Sequence, residues 1–506
     1  MALINSVISW LMKKRIHQIQ LFMEYPNEVQ GEWLRKLLSQ ARNTEWGKRY
    51  DFKSLASPDQ FRGRIPVQDY DSLRPAIDRL RQGEQNILWP SEIKWFAKSS
   101  GTTSERSKFI PVSPEALEEC HFKGGKDMLS IYCNNHPDTM LFDGKSIAMG
   151  GSRQILEVNN ESYIQGDLSA ILIENLPVWI EFMRTPNLSI ALMDEWESKI
   201  EMMAEATMQH DVTSISGVPS WTLLLFRRIL EKTGRENLLE VWPNFELFIH
   251  GGVSFSPYRD SFRTLLPSSG VNYLETYNAS EGFFGIQDRS GADDMLLMLD
   301  YGIYYEFIPP DQAGKEFPET LHLDEVEMNT NYAMVITTNA GLWRYLIGDT
   351  VQFTSLRPYR IRISGRTRHF INAFGEEVII DNAEKAMAVA CERSHAIVAE
   401  YTAAPVHYGS TGKGAHEWLI EFEKAPNDLA YFISALDTAL KSLNSDYEAK
   451  RYHDMILGEP VVMIAPKGTF YKWLKSKGKL GGQHKVPRLS NDRKYLEEIT
   501  AFVEAG

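Results

Sequence analysis

The sequence predicts an α/β protein in two unequal parts: a large N-terminal domain over residues 1–366 and a small α+β domain over 367–506. Three observations carry this. Between Ser216 and Gly282 helical and strand-like stretches alternate, with polar loops at the strand carboxyl ends, where doubly wound sheets build ligand sites. From Met295 to Phe353 the pattern turns to strands and hairpins. Beyond Gly365–Arg368 a second compact set of helices and strands begins. A chain of 506 residues is also too long for one simple core.

Residues 1–90 read as mostly helical, with breaks near Pro26, Pro58 and Pro66 and an apolar face at Leu34, Leu37 and Leu38. Arg62, Arg64, Asp69, Asp71 and Arg74 mix both signs, as a solvated face does. Apolar runs at Ile93–Phe96 and Phe109–Val112 flank a short polar turn, which suggests a hairpin. Ser113-Pro114-Glu115 opens a helix to about residue 140, with serine at the N-cap and proline at N1. Ile147–Ser152 is a strand ending in a glycine turn. Over residues 193–209, Met193, Trp196, Ile200, Met203 and Ala204 share one helical stripe, which assigns them to the core. Pro219 starts a helix that runs to Thr233 and is capped by Gly234. Phe245–His250 and Val271–Thr276 are the next strands, and Tyr359–Ile363 is the last one before the boundary. The small domain should hold helices near 381–393, 427–443 and 469–475 and strands near 395–402, 417–423 and 460–464.

Bulk properties narrow the function. A net charge of -13 excludes a general binder of nucleic acid or anionic membrane. Cys120, Cys133 and Cys391 are too few for a disulfide framework and lack metal-ligand spacing, which fits a reducing, cytoplasmic setting. No apolar run reaches the ~18 residues of a membrane span. In Met1–Met23 the positive charge follows the apolar run, the reverse of a signal peptide, so a first helix packed on the body is expected, with an interfacial helix as the alternative. Seven Lys/Arg between Lys467 and Arg488, with no acidic residue among them, suggest an anion-facing edge on a movable lid, the plainer alternative being a solvated basic face.

The chemistry concentrates in Ser99-Ser100-Gly101-Thr102-Thr103-Ser104-Glu105-Arg106-Ser107-Lys108. Such a loop can turn backbone N–H groups, hydroxyls and one ammonium toward a polyphosphate. It is not a Walker loop, because Ser107 replaces the glycine before the lysine and Phe109-Ile110-Pro111 does not start a helix. Tyr277 offers a ring face for a purine, Glu281 an oxygen for magnesium, and Asp349 a carboxylate for ribose hydroxyls. Each has a plainer alternative: Tyr277 in the core, Glu281 as a helix cap, Asp349 closing a turn. His250, without a second ligand at metal spacing, reads as a satisfied structural histidine.

Ser99-Ser100-Gly101-Thr102-Thr103, Tyr277-Asn278-Ala279-Ser280-Glu281 and Tyr345-Leu346-Ile347-Gly348-Asp349 occur in the order of the three nucleotide motifs of the Gretchen Hagen (auxin-responsive promoter) acyl acid amido synthetases, which they resemble. Trp242-Pro243-Asn244, His250-Gly251-Gly252-Val253, Tyr304–Phe307 and the tail Gln483–Arg488 extend the resemblance over nearly the whole chain. It implies the acyl-adenylate-forming fold, with ATP and magnesium used to activate a carboxylic acid and pass it to an amine such as an amino acid. It further implies that Ser99, Ser100, Thr102 and Thr103 hold phosphates while Gly101 admits the backbone closely. Val253, Tyr277 and Asn278 would flank adenine. Ser280 and Glu281 would lie by the α-phosphate, with Glu281 on the metal. Asp349 would bind ribose, and Arg366 would contact ribose or phosphate near the hinge. Lys108 and the lid's Lys485 are the expected catalytic cations. Phe283-Phe284 and the 113–180 region are expected to line the acyl pocket. Two departures stand out: Glu105-Arg106 in a loop that is often glycine-rich, and Leu346 in place of an arginine for which Arg344 could substitute. An acyl-CoA ligase sharing the first half-reaction and a catalytically silent nucleotide-binding protein are the competing functions.

Overall fold

The computed structural model describes residues 14–99, 108–158, 161–252, 255, 258–312, 315–366, 370–376, 378–409, 413–476 and 487–504. The expected sites at Ser100–Thr103, Val253 and Lys485 lie outside the described residues, as do Glu105-Arg106.

Helices at Ile16–Glu24, Pro26–Ala41, Pro58–Arg64 and Tyr70–Arg81 open the chain. Pro26 and Pro58 fall at first helical positions, so these prolines mark helix starts. Asp69, read as part of a solvated face, caps the 70–81 helix through a bond from Ser72 N–H at 2.9 Å. Strand β1 (Trp95–Ser99) pairs antiparallel with β2 (Lys108–Val112), with Ser99 opposite Lys108. The expected hairpin is therefore formed. Ser113 Oγ then accepts from Ala116 N–H at 3.0 Å and caps the helical segment that follows.

After β3 (Lys145–Ala148), β4 (Arg153–Val158) and β5 (Glu161–Gly166) form a second hairpin, and β5 runs parallel to β1 to complete a four-stranded sheet. The helix Trp196–Thr207 buries Ile200, Met203 and Ala204 as its stripe predicts. Strands β6 (Val212–Ser216), β7 (Leu247–His250) and β8 (Asn272–Ala279) run parallel beside β3. The helices Pro219–Thr233 and Arg259–Leu265 connect them, and Gly234 closes the first at φ 65°.

At β8 the sheet changes character. β9 (Gly282–Ile286) folds back antiparallel, with Ser280 and Glu281 between the two strands. Tyr277 and Asn278 therefore belong to the strand itself, and Glu281 caps no helix. β10 (Met295–Leu297), β11 (Ile303–Ile308), β12 (Asn331–Thr338), β13 (Tyr345–Leu356) and β14 (Tyr359–Arg366) extend this to a ten-stranded mixed sheet, ordered β11-β12-β13-β14-β10-β9-β8-β7-β6-β3.

The C-terminal part holds the short pair β15 (Phe370–Ile371) and β16 (Val378–Ile379) and a sheet of β17 (Ile397–His407), β18 (Gly414–Lys424) and β19 (Val461–Ala465). The helices Ile380–Ser394 and Leu429–Leu443 pack beside it. Its main core is shared with the large part, since Phe226, Phe248 and Phe262 join Phe374, Trp418 and Phe432 in one cluster. Arg488, counted in the basic stretch, is spent on this fold: it pairs with Glu400 at 3.2 Å and lies 4.5 Å from the Tyr401 ring centre. Among the described residues no helix is long and apolar enough to cross a membrane.

Candidate active-site cavity

A cavity of about 1050 Å³ opens where the parallel strands end and the β8–β9 hairpin begins. It brings together Ser99, Lys108, Tyr277, Asn278, Ser280, Glu281 and Asp349, seven residues chosen from three separate stretches of sequence. Leu489–Asp492 of the C-terminal part close another side.

The base of the hairpin is fixed from the helix Tyr70–Arg81. Phe109 N–H donates to Tyr70 Oη at 2.9 Å, and the Arg81 guanidinium lies 3.7 Å from the Phe109 ring centre. Lys108 is 7% exposed and sits 5.9 Å from the Tyr70 ring. Neither Tyr70 nor Arg81 carries a local sequence signal of this task.

Tyr277 and Asp349 meet directly. The Tyr277 hydroxyl donates to Asp349 Oδ2 at 2.7 Å, and both residues are buried. The Tyr277 ring tilts against Phe284 at 4.9 Å. Its membership of the core and its place on the cavity wall therefore coincide. Gly348, at φ 96°, turns the chain just before Asp349, a conformation that glycine enters without Cβ strain. Across the ladder Asp349 is in register with Arg366, so the carboxylate expected at ribose and the arginine expected at ribose or phosphate are cross-strand partners. The loop after β7 reaches β8 closely because Gly251 has no side chain: a Cβ there would stand 2.5 Å from Thr276 O.

One expectation needs correction. Arg344 does not substitute for the missing motif arginine. It is 3% exposed and spends its donors on Glu306, the Arg62 and Ile65 carbonyls, and Thr320 Oγ1 at 2.7 Å. Phe283 and Phe284, expected at the acyl pocket, are buried in the core, and Phe283 lies so close to the 123–135 helix that a Cβ on Gly124 would come within 2.6 Å of its ring. From the 113–180 region, Tyr132, Asn135 and His136 do reach the wall.

His250 is buried and stacks on Phe255 at 4.2 Å. Burial and the nearby Arg259 push its imidazole down to about 3, so it stays neutral. It lines the cavity, and it is not the satisfied histidine expected, since Nδ1 has no partner among the described residues. Arg259 and Glu275 also line the cavity, and the motif comparison passed over both. No group of three or more potential metal ligands occurs among the described residues.

The GH3 family N-terminal domain matches residues 15–271, its central domain 296–366 and its C-terminal domain 381–494. The chain is 24% identical to the Arabidopsis thaliana indole-3-acetic acid-amido synthetase GH3.3, over 94% of this chain and 91% of that protein. It is 22% identical to the Arabidopsis thaliana 4-substituted benzoates-glutamate ligase GH3.12, over 94% and 95%. In fold it resembles the GH3.15 acyl acid amido synthetase, with a TM-score of 0.61 at 16% identity over 97% of this chain and 96% of the other. A 2-hydroxyisobutyryl-CoA ligase shares the fold at a TM-score of 0.58 and 13% identity, over 96% and 93%. With the family's three domains matched in order along it, the chain belongs to the GH3 family.

Proposed function

We propose that the protein is an ATP-dependent acyl acid amido synthetase, which activates a carboxylic acid as its acyl-adenylate and transfers the acyl group to an amine, an amino acid being the expected acceptor. The observation that carries this is the Tyr277–Asp349 bond, which ties two nucleotide motifs together on one cavity wall beside the hairpin that holds Lys108. The GH3 amido synthetases that the chain resembles along nearly all its length support it.

In the first half-reaction a substrate carboxylate attacks the α-phosphate and pyrophosphate leaves. Lys108 and the donors of the Ser99–Lys108 loop stabilise the charge that spreads over the phosphates. Tyr277, Asn278 and Val253 flank adenine, and Asp349, held by the Tyr277 hydroxyl, accepts from ribose with Arg366 opposite. Glu281 lies half-buried in the hairpin turn on the cavity wall. A carboxylate there suits magnesium, which takes one or two protein oxygens and completes its shell with phosphate and water. Bound there, magnesium would supply charge neutralisation at the phosphates. In the second half-reaction the amine attacks the acyl carbon and expels AMP. Residues 367–506 act as the lid, with Lys485 as its cation, and exclude water from the adenylate.

The test is acid-dependent exchange of pyrophosphate into ATP across a panel of carboxylic acids, followed by addition of amino acids or CoA. Amide formation is the expected product. Thioester formation alone would make the protein an acyl-CoA ligase, and no exchange with any acid would leave a silent nucleotide binder.

A further inference from the structure

Strand β4 is the outer edge of the four-stranded sheet β2-β1-β5-β4, and among the described residues it pairs with β5 alone. On β5, Ile164 N–H donates away from β4, to Lys94 O at 2.9 Å, whereas Asp167 N–H donates toward it, to Ser152 O at 2.9 Å. Hydrogen-bonded and non-bonded pairs alternate along an antiparallel ladder. Gln154, Leu156 and Val158 therefore exchange their backbone bonds with β5, and the N–H and C=O groups of Arg153, Ile155 and Glu157 point outward. Three other sheet edges are closed. Leu321 covers β11 and Arg184 covers β3. β2 carries Pro111, which has no N–H to offer, and its Phe109 N–H is spent on Tyr70 Oη. β4 has no proline, lysine or bulge, and Ile155 and Leu156 are 53% and 37% exposed along it. Such an edge is a template for another strand.

The charges of β4 say which strand fits. Laid antiparallel against itself about Ile155, Arg153-Gln154-Ile155-Leu156-Glu157 sets Ile155 opposite Ile155 and, on either side, Arg153 opposite Glu157. These are the residues whose backbone groups point outward, so this register pairs all of those groups, two bonds to each residue pair. Centring on Gln154 or Leu156 instead sets a charge against Ile155. Both charged side chains are already oriented. Glu157 accepts from Ser162 Oγ at 2.7 Å, and Arg153 Nε lies 2.9 Å from Glu174 Oε2. A guanidinium has donors enough for a second carboxylate. We propose that the protein self-associates as a two-fold dimer through β4, a second copy of the chain adding its own β4 antiparallel with Ile155 on the axis. The two sheets join edge to edge, the order β2-β1-β5-β4 continuing in reverse, with the β1–β2 hairpin at each far side. The same patch serves both copies, so the contact closes on itself and the assembly stops at two.

The experiment is sedimentation equilibrium of the full chain over a range of concentrations. Wild type is expected to pass from the mass of one chain to twice that mass as concentration rises. Ile155→Lys sets two ammonium groups against each other on the axis, and Ile155→Glu two carboxylates. Each should raise the dimer dissociation constant at least ~10-fold. Position 155 is exposed, so circular dichroism should show the same fold in both variants. An equimolar mixture of the two places lysine opposite glutamate and should associate several-fold more tightly than either variant alone. That recovery requires residue 155 to face itself, which a contact elsewhere on the surface would not reproduce. A wild type that stays monomeric at every concentration overturns the proposal and leaves the edge to a strand of another protein. A dimer that both variants leave intact, or a mixture no tighter than its parts, overturns it as well.

Discussion

At Tyr277 a single side chain does two things. Its ring fills the core beside Phe284, and its hydroxyl holds the carboxylate assigned to ribose. Tyr277→Phe keeps the first and removes the second. The expected cost is ~1 kcal/mol of stability, with a several-fold rise in KM for ATP; an unchanged KM would detach Asp349 from the nucleotide. Glu281→Ala and Asp349→Ala should each abolish pyrophosphate exchange with circular dichroism and melting preserved, and near-normal exchange in both would sink the site. Arg344 gives the opposite outcome. It lies in the third motif region, yet its guanidinium is buried against Glu306. Arg344→Met leaves that carboxylate buried without its partner, a loss on the order of 3–5 kcal/mol. Urea melts should show it, while the folded fraction keeps its affinity for ATP.

Among elements, those legible in the sequence are the ones whose ends are chemically marked. Ser113, Pro219 and Gly234 set helix boundaries where the residues say they should, because capping is decided within a few residues. The β8–β9 hairpin was not legible. Ala279-Ser280-Glu281-Gly282 lacks the Asn-Gly or Asp-Gly pair of a tight turn, and whether Phe283-Phe284 faces the site or the core depends on a helix far away in sequence. Charge in the motif region misled for the same reason, since the partner that claims Arg344 comes 38 positions earlier. The segment before the helix Lys123–Asn135 carries a further consequence. His121 is buried there with Nδ1 unpartnered among the described residues, and burial pushes its imidazole down to about 4 from 6.5. The unfolded chain therefore binds the proton more readily. This contribution is complete above pH 6.5 and is lost as pH falls toward 4, and His250 continues the loss toward 3. His121→Leu should flatten the decline, losing up to ~1.4 kcal/mol less per pH unit than wild type in that interval. Parallel stability–pH curves for the two proteins would contradict it.

On the scale of the whole molecule the seam between the two parts matters most, because the C-terminal part, in its proposed role as a lid, must hold one arrangement and still leave it. The seam is apolar where Phe248 and Phe262 share a cluster with Phe374 and Trp418, and Tyr258 Oη donates across it to Ala373 O at 2.9 Å. It also buries a cation. Lys450 is 7% exposed, with its ammonium 3.9 Å from the Trp221 ring centre. Attraction to a ring is worth up to ~2 kcal/mol when desolvated, and Asp446, Glu376 and Asp167 also favour the charge. Burial still outweighs them, since the ammonium is pushed down to about 8 from 10.5, on the order of 3 kcal/mol against the charged form. The folded pKa lies below the unfolded one, so this penalty is full below pH 8 and is relieved as pH rises toward 10.5. A methionine of similar length keeps the packing on Trp221 without that penalty. Lys450→Met is therefore expected to raise the melting temperature at pH 7 by a few degrees and to remove a stability gain that wild type shows between pH 8 and 10. A tighter seam opens less readily, so amide formation should slow relative to pyrophosphate exchange. A variant that melts lower than wild type, or that speeds both half-reactions equally, would show that the buried ammonium strengthens the seam.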